Sequence, residues 1–453
     1  MRLDLTHKLV ITSSPINHLN LMRSLLLALT QSRPIRRLIS GLLACACSLL
    51  APVSYSAEIA VQVVTSWSSD SNPLRFPSDN TAEVNTGSSR TRDQVLATDI
   101  RAGLIVPLLS ERTRLVASAT QGERRYDYFT QLNHRPYAID VALEWAIGNT
   151  LTGKAGVSRE ERLFNYLNGS LIARDLIQQD KTFSDLALRI TPNLDITAGI
   201  EASRLRYDLP VNQLYNREEN AQQIGLRYNT GTGSNITAGA RFANAKFPER
   251  TASQIANLDS SYRETEYFLD SEWAYSVKTK GSLRVGMIER EYETLSAQNT
   301  QLINFLGRAT YQYSPKTRFD LQLYERPFSI IDPNTLYITA RGGRLDASWQ
   351  ATPKTNLGVF VGRENILFKN SSNAALGTPE KRHESIWRPG LRMSYTPTRG
   401  LRLFIDGFRE TRKRSPDLAG IDQTVVRMGL EYTYENIDGA AQRTGINRYT
   451  QNP

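Results

Sequence analysis

The feature that most constrains the fold is an alternation of apolar and polar side chains with a period of two. In the stretch 136–150, PYAIDVALEWAIGNT, the large apolar side chains occupy one set of alternate positions. Asp140 and Glu144 occupy the other set. A helix would scatter the large side chains around its circumference, whereas a strand places them all on one face. The two acids therefore belong to the polar face of a predicted β-strand.

The same alternation recurs along most of the chain. VLATDIRAGLIVPL places Asp99 and Arg101 opposite an apolar row, and FLDSEWAYS does the same with Asp270 and Glu272. TVVRMGLEYTY, near the C-terminus, places Arg427 opposite Met428 and its apolar neighbours. No stretch after residue 56 has the pattern of a long amphipathic helix. The chain is predicted to be all-β.

The connections between these segments alternate in length. Short turns such as GNT, TPN, SPK and ATPK alternate with longer polar loops, including residues 68–94, 122–136, 159–180 and 365–383. Eight short turns and nine longer loops give 18 strands if the segment Ala60–Trp67 is the first, with 16 as the lower count. Short turns on one side and long loops on the other are typical of a transmembrane antiparallel β-barrel with periplasmic turns and extracellular loops. We predict one such barrel over residues 57–434, in the outer membrane of a Gram-negative bacterium.

The alternative is a soluble all-β sandwich or propeller, whose strands also alternate. Two observations favour the membrane barrel. The polar rows are too rich in charge for a sandwich core. The apolar rows end in aromatic residues near the short turns, as expected for the girdle at a membrane interface. The predicted girdle residues are Trp145, Tyr228, Tyr275, Tyr313, Trp349 and Tyr395.

The polar rows of such a barrel line its lumen. Their basic and acidic side chains nearly balance, which argues against a strongly anion-selective funnel and favours a lumen laced with ion pairs. Phe404 and Phe408 also fall on these rows, where they could stack on sugar rings or pack against an inserted loop. The predicted lumen-lining residues are Asp99, Arg101, Asp140, Glu144, Arg241, Asp270, Glu272, Arg308, Arg344, Arg392, Arg402, Phe404, Asp406 and Arg427.

Two local features interrupt the predicted strands. Pro389 lies inside IWRPGLRMSY, where it removes a donor from the hydrogen-bond ladder. In LYITARGGRLDASW the phase of the alternation breaks, so that Arg341 would face lipid. We expect a β-bulge at Gly342 and Gly343 to reset the phase and turn Arg341 inward.

The N-terminal 56 residues are predicted to be a signal peptide. Arg36 and Arg37 precede a short apolar run, and cleavage fits after Ser56. The region before this run is long for a signal, so Met22 is a candidate start. Cys45 and Cys47 are the only cysteines and lie in this signal, although LLAC also allows a less favoured lipidation of Cys45. Removing six basic residues and one acidic residue lowers the formal charge from +10 to +5, which argues against a nucleic-acid partner.

The end of the last strand fits a barrel-assembly signal. Arg427, Gly429, Tyr432 and Tyr434 follow the polar, glycine, hydrophobic and aromatic spacing by which outer-membrane barrels resemble one another at their C-termini. That spacing predicts recognition by the barrel-insertion machinery. Here the chain continues, and residues 435–453 are predicted to be a polar, disordered periplasmic tail.

No motif of an enzyme or cofactor site is present. The sequence lacks CxxC, HExxH, GxSxG and P-loop spacings, and no catalytic residue, metal or cofactor is predicted. His134 and His383 lie in or beside long loops, where a solvated role is the more frequent one. Asp140 and Glu144 could form a glycosidase-like pair, but residues four apart on one strand face lie about 13 Å apart.

Several stretches together resemble a known family, the EpsL-type outer-membrane barrels of exopolysaccharide operons, within a wider group of porin-like barrels. They are YAIDVALEWAIGNTLTGKAGVSRE, GLRYNTGTGSNITAGARF, YQYSPKTRFDLQLYER, DASWQATPKTNLGVFVGRE and LRLFIDGFRETRKRSPD. The resemblance is one of style and spacing, and it assigns no site residues. It implies a role in exopolysaccharide production, with passage of polymer across the outer membrane.

Three functions are therefore considered. The leading one is a barrel that serves exopolysaccharide export, with the polymer and periplasmic export proteins as candidate partners beside the membrane lipid. The second is a general or sugar-selective diffusion porin. The third is an outer-membrane enzyme that modifies polysaccharide, which would need two carboxyl groups, or a carboxyl group and a histidine, to converge.

Overall fold

The computed structural model describes residues 57–78, 89–110, 112–164, 173–329, 331–332, 335–370, 382–415 and 418–446. The predicted signal, with Met22, Cys45 and Cys47, lies outside these residues. The described part of the chain contains 18 β-strands. They are β1 (Glu58–Asp70), β2 (Asp93–Ser110), β3 (Thr113–Tyr126), β4 (Tyr137–Ile147), β5 (Leu151–Leu163), β6 (Leu176–Thr191), β7 (Leu194–Tyr207), β8 (Arg217–Asn229), β9 (Asn235–Lys246), β10 (Ser261–Ala274), β11 (Thr279–Tyr292), β12 (Thr300–Ser314), β13 (Thr317–Phe328), β14 (Thr335–Thr352), β15 (Thr355–Asn370), β16 (His383–Thr398), β17 (Leu401–Ser415) and β18 (Ile421–Glu435).

Each strand pairs antiparallel with its neighbours in the sequence, and β18 pairs with β1 to close the barrel. The predicted count of 18 strands and the predicted fold are confirmed. The first strand is longer than the predicted segment Ala60–Trp67. Short turns follow every even-numbered strand from β2 to β16, and β1 begins and β18 ends on that same side, which is the periplasmic side of such barrels.

Alternation sets the two faces of the wall. On β4 the outward row includes Ile139, Leu143 and Ile147, which remain exposed, whereas Asp140 and Glu144 face inward. On most strands about four successive outward positions above the periplasmic turn are apolar, which spans roughly 20 Å along the strand. A lipid-facing apolar belt of this height accounts for exposed side chains that water would penalise.

The prediction of a β-bulge at Gly342 and Gly343 is wrong. The register of β14 runs through both glycines without a shift, against β13 and against β15. Arg341 consequently faces outward, with its side chain 76% exposed and its Nε 3.5 Å from a carboxylate oxygen of Glu325. It is compatible with the membrane because it lies above the apolar belt, four outward positions from Trp349. The phase breaks because the belt ends there, and the backbone stays regular.

Pro389 lies within β16, as expected from its neighbours. Its ladder toward β15 is continuous, with Pro389 opposite Val361. Toward β17 the pairing passes from Trp387 directly to Gly390. The missing donor thus affects one side of the strand only, and the strand continues because the other ladder holds it in place.

Three extracellular loops are held by the same arrangement of hydrogen bonds. A buried aspartate at or just before a strand accepts hydrogen bonds from backbone N–H groups of the next extracellular loop, about 35 residues later. The pairs are Asp93 with Tyr128 and Phe129, Asp175 with Leu209, and Asp259 with Thr294 and Leu295. Each loop then makes a 3-10 turn (Thr130–Leu132, Pro210–Tyr215 and Ser296–Gln298). An asparagine follows each turn, and its side chain accepts a hydrogen bond from the last residue of the preceding strand: Asn133 from Tyr126, Asn216 from Tyr207, and Asn299 from Tyr292.

In the described residues, α-helix is confined to two short pieces, α1 (Ala252–Leu258) in an extracellular loop and α2 (Ala440–Arg443) beyond the last strand. Among the residues that the structure describes, no helix is long and apolar enough to cross a membrane.

Candidate channel lumen

The inward rows of the barrel carry charged side chains that are paired across neighbouring strands. Glu144, which first suggested an acid pair, lies 2.7 Å from Arg114 on β3 and 3.0 Å from Lys154 on β5. Asp140 faces inward two positions higher, opposite Ser118 and Ser158. The two acids therefore have separate neighbours, and Glu144 is neutralised by cations on both sides.

The structure places every predicted lumen residue on the inner face of the barrel wall. All 14 fall on inward rows of the barrel, from Asp99 and Arg101 on β2 to Arg427 on β18. Asp99 and Arg101 are almost fully buried and form an ion pair of 3.2 Å. Arg241 pairs with Glu219 at 2.9 Å, and Asp270 lies 3.4 Å from Arg284.

On the wall formed by β14–β18, arginines and acids interleave. Asp346 is shared by Arg344 at 2.7 Å and Arg392 at 2.9 Å. The next strands repeat the pattern. Asp406 lies 2.8 Å from Arg427, and Arg402 lies 3.4 Å from Glu431. Since both signs are interleaved, this wall presents no long run of one charge.

The inward phenylalanines lie flat on the wall. Phe404 and Phe360 stand directly opposite Gly429 and Gly390, and a Cβ on either glycine would fall 2.6 Å or less from the ring. Phe268 over Gly239 and Phe183 over Gly156 repeat the arrangement. Because the opposing glycine has no side chain, each phenylalanine ring lies over that glycine and does not project into the lumen.

Cations cover these rings on the lumen side. Arg402 and Arg427 lie 5.7 Å and 5.5 Å from the Phe404 ring centre. Arg344 and Arg392 lie 4.0 Å and 4.7 Å from that of Phe360. Such stacks are favourable through the ring quadrupole. A solute in the lumen therefore meets guanidinium groups first, which counts against sugar stacking on Phe404, and Arg388 covers Phe408 at 5.9 Å.

The lumen holds space for water at mid-height. The inward side chains of Lys154, Lys181 and Arg392 are 41%, 37% and 45% exposed, although none of them reaches the outer surface. A recess of about 280 Å³ lies beside Lys154, Lys181 and Arg241. A barrel of 18 strands is wide enough for an aqueous channel unless a domain fills it, and the described residues provide no such domain.

The extracellular end of the lumen is narrowed by the first loop. Leu74 and Phe76 of this loop are buried against Phe129 and Leu132 of the second. Between them Arg75, at φ 57°, reaches Glu410 of β17 at 3.0 Å. An apolar pair in a polar loop, the LRF of residues 74–76, was the available sequence signal for this contact.

Glu410 is the centre of a buried charge network. It accepts from Arg75, Arg388 and Arg412, the last at 3.2 Å. Arg412 extends the network to Glu384 at 3.4 Å. Glu384 also meets Arg382 at 3.3 Å and Arg414 at 3.4 Å. Every carboxylate of this network is thus surrounded by guanidinium groups.

The periplasmic end is occupied by the chain beyond β18. The predicted disordered tail is wrong for residues 436–446, which fold against the inner face of β1 and β2. Ala440, Ala441 and Ile446 are buried against the inward Ala60, and Thr444 touches Gly103. Arg443 lies 2.5 Å from Glu58. Small side chains on both surfaces let the short helix α2 lie close to the wall.

The predicted girdle and assembly signal lie at the periplasmic end. Tyr228, Tyr313, Trp349 and Tyr395 are outward and exposed beside short turns, Tyr275 lies in the turn after β10, and Trp145 packs over Gly153. On β18 the inward Arg427 and Gly429 alternate with the outward Tyr432 and Tyr434. Recognition of β18 during assembly stays a prediction.

His134 and His383, the two histidines among the described residues, lie on separate elements. His134 lies in the second loop, with Nδ1 2.8 Å from the carbonyl oxygen of Leu132, and burial lowers its pKa. His383 is exposed on the outer face of β16. In the described part of the chain, no group of three or more histidine, cysteine or acidic side chains could hold a metal ion.

The closed barrel, its apolar belt and its polar lumen define an outer-membrane β-barrel of Gram-negative bacteria. Among solved structures the chain is similar to OccAB3 of Acinetobacter baumannii, at 9% identity and a TM-score of 0.46, with 84% of this chain and 100% of that chain covered. It is also similar to OccK9 (OpdG) of Pseudomonas aeruginosa, at 10% identity and a TM-score of 0.45, with coverage of 84% and 99%. No family model and no curated protein sequence matches the chain. Similarity this low transfers no solute or role, and the EpsL-type resemblance stays a prediction.

Proposed function

We propose that the protein is a passive diffusion channel for small hydrophilic solutes across the outer membrane. The observation that carries this proposal is the half-exposed charge of Lys154, Lys181 and Arg392 at mid-height of the lumen. A core that excluded water would leave such groups buried at a large desolvation cost. Their solvation is supplied by water in the lumen, and the same water supplies a path for solutes.

The wall also suggests which solutes pass. Arginines and acids alternate on β14–β18, so the lumen attracts neither sign strongly. The guanidinium groups over Phe360 and Phe404 leave no bare aromatic face for a sugar ring. We therefore expect weak selectivity, with passage limited by size more than by chemical type.

Liposome swelling tests this proposal. Residues 57–453 are refolded, inserted into liposomes and mixed with solutes of increasing size, from a pentose to a dextran. The expected result is swelling that is fast for the pentose, slower for a trisaccharide and absent for the dextran. Protein-free liposomes are the control. Swelling no faster than this control for every solute would contradict the proposal.

Exopolysaccharide passage, implied by the sequence resemblance, is the second candidate. The observation that favours it is the segment 436–446 inside the periplasmic mouth, because an export barrel needs closure until a periplasmic partner delivers polymer. Deletion of the gene tests it. Secreted polymer that is unchanged in amount and location would end the export role, while loss of polymer with no swelling by small solutes would favour export over free diffusion.

A further inference from the structure

The outer face of the barrel carries an uneven distribution of charge above the apolar belt. On the outward rows of β14–β17 lie Arg341, Arg363, Arg409 and Lys413, and the described parts of these four strands place no acidic side chain on those rows. On β11–β13 the outward rows instead hold Glu289, Glu291 and Glu325, with no cation above the belt. One side of the barrel is therefore basic at this height and another is acidic.

The four cations form one compact group, which we call the basic patch. Arg363, Trp387 and Thr411 are direct partners in a row across β15, β16 and β17. Arg409 and Lys413 flank Thr411 on the same face, and Arg341 is one step above Gly343, the partner of Arg363. Neighbouring strands lie about 4.8 Å apart, so Arg363 and Arg409 are roughly 12 Å apart at their Cα atoms and long side chains can converge.

Elsewhere on this rim, two outward arginines are neutralised by direct neighbours. Arg159 lies 2.5 Å from Asp180, and Arg204 lies 2.7 Å from Glu218. In the basic patch the only ion pairs among the described residues are at its edges. Arg341 reaches Glu325 of β13 and Arg409 reaches Asp422 of β18, each at 3.5 Å. The centre, at Arg363 and Lys413, keeps its positive charge for a ligand.

The height of the patch indicates the ligand. Arg363 is one outward position above Val361, where the continuous apolar run of its row ends, so it lies about 7 Å beyond the belt. Trp387, 49% exposed, stands beside it, as amphipathic rings do at a lipid headgroup. The outer leaflet at this level consists of lipopolysaccharide, whose diglucosamine headgroup carries phosphates. Arginine binds phosphate with several donors at once.

We propose that the basic patch of β14–β17 binds the phosphorylated headgroup of lipopolysaccharide. Arg363, Arg409 and Lys413 contact the phosphates, and Trp387 packs against the sugar and the first part of the acyl chains. The acidic rows of β11–β13 repel the same phosphates, so the lipid occupies one defined side of the barrel. This inference needs only the outer-membrane location and is independent of what passes through the lumen.

The test measures binding of deep-rough lipopolysaccharide to the detergent-solubilised barrel of residues 57–453, by native mass spectrometry with a dephosphorylated form as second ligand. The variant Arg363→Ser/Arg409→Ser/Lys413→Ser removes three of the four cations of the patch. Its matched control is Arg159→Ser/Arg204→Ser, on the same rim. Loss of charge-assisted contacts predicts binding weaker by about tenfold for the patch variant and by less than about twofold for the control.

The remaining outcomes are decisive as well. The charge-retaining variant Arg363→Lys/Arg409→Lys should keep most of the binding, which separates lost charge from a damaged fold. The wild-type barrel should bind the dephosphorylated form about tenfold more weakly. Equal binding by the patch variant and the control would overturn the proposal. So would a patch variant whose only change is the loss of a dimer, since the acidic rows of a second copy would then be the occupant.

Discussion

The two mouths of the barrel are narrowed in different ways. At the extracellular end, the first loop is fixed by the buried pair Leu74 and Phe76 and by Arg75, whose partner Glu410 is 1% exposed. At the periplasmic end, the segment 436–446 rests on alanines and on the half-exposed pair of Arg443 with Glu58. The first closure is a loop between two strands that a buried ion pair fixes to the wall, and the second is a terminal segment that can leave without breaking a strand.

The difference indicates where passage is controlled. A buried network with several guanidinium groups on one carboxylate is rigid, because any member that moves leaves the others unpaired. A short helix on small side chains buries little apolar area and is displaced at a lower cost. In the proposed channel we therefore expect the extracellular end to set a constant size limit and the periplasmic end to be the adjustable one.

The largest effect is expected from Glu410→Gln, which breaks the extracellular closure. The change leaves Arg75, Arg388 and Arg412 facing one another without their shared carboxylate. We expect a loss of about 3–5 kcal/mol in the free energy of unfolding, the range for a broken buried ion pair. Urea unfolding followed by tryptophan fluorescence measures it.

The control for this change is Glu218→Gln on the outer face, where Arg204 is 47% exposed. An exposed pair of this kind contributes less than about 1 kcal/mol. Equal losses in the two variants would show that the Glu410 network does not hold the extracellular end.

A smaller effect is expected at the wall between the mouths, from Gly429→Leu. A side chain here collides with the Phe404 ring, since its Cβ would lie 2.6 Å from the ring. The ring must move into the lumen, with a loss of stability of about 1–3 kcal/mol for overpacking and a lower single-channel conductance. The control is Gly358→Ala, also inward, where the nearest atom to a new Cβ is 3.5 Å away. A fall in conductance common to both variants would refute the role of the flat Phe404 ring.

Removal of residues 436–453 breaks the periplasmic closure. The strand β18 stays complete, because it ends at Glu435. We expect single-channel conductance to rise by about twofold while the unfolding free energy changes by less than about 1 kcal/mol, since few large apolar side chains are uncovered. Conductance equal to that of the full chain would place the narrowest point elsewhere and remove the contrast between the mouths.

The smallest effect is expected from Arg344→Ser/Arg392→Ser. This double change leaves Asp346 without either of its two cations. The lumen becomes slightly more cation-selective, measured as a shift of the reversal potential in a salt gradient. The converse change Asp346→Asn should shift the potential the other way. Shifts of the same sign would mean that these residues do not face the permeating ions.

The sequence is sufficient to predict the barrel because each strand must satisfy two solvents at once. Lipid outside and water inside impose a period of two, and the turn lengths then fix the strand count and the orientation. The inward position of Asp140 and Glu144 follows from that period alone. Arg341 shows the limit of the method, since a charge above the belt and a shift of register produce the same break in the pattern.

The structural features that the sequence did not predict depend on residues that are far apart in the chain. The sequence around Asp93, Asp175 and Asp259 does not indicate that each carboxylate accepts hydrogen bonds from a loop about 35 residues later. The repeated tyrosine and asparagine of these loops, as in Tyr126 with Asn133, were nevertheless a visible signal. The segment 436–446 looks polar, and only the fold places Ala60 and Gly103 where small side chains can receive it. The flat rings of Phe360 and Phe404 likewise need the register that sets a glycine opposite each.

The central claim is that the inward rows line an open aqueous passage, and two neighbouring residues test it most directly. Lys154 faces inward and Ala155 faces the lipid, and no cysteine lies beyond residue 56. Lys154→Cys and Ala155→Cys are compared in planar bilayers during addition of a charged, membrane-impermeant thiol reagent. We expect a stepwise change of conductance for Lys154→Cys and none for Ala155→Cys. No change in either variant, or an equal change in both, would contradict it.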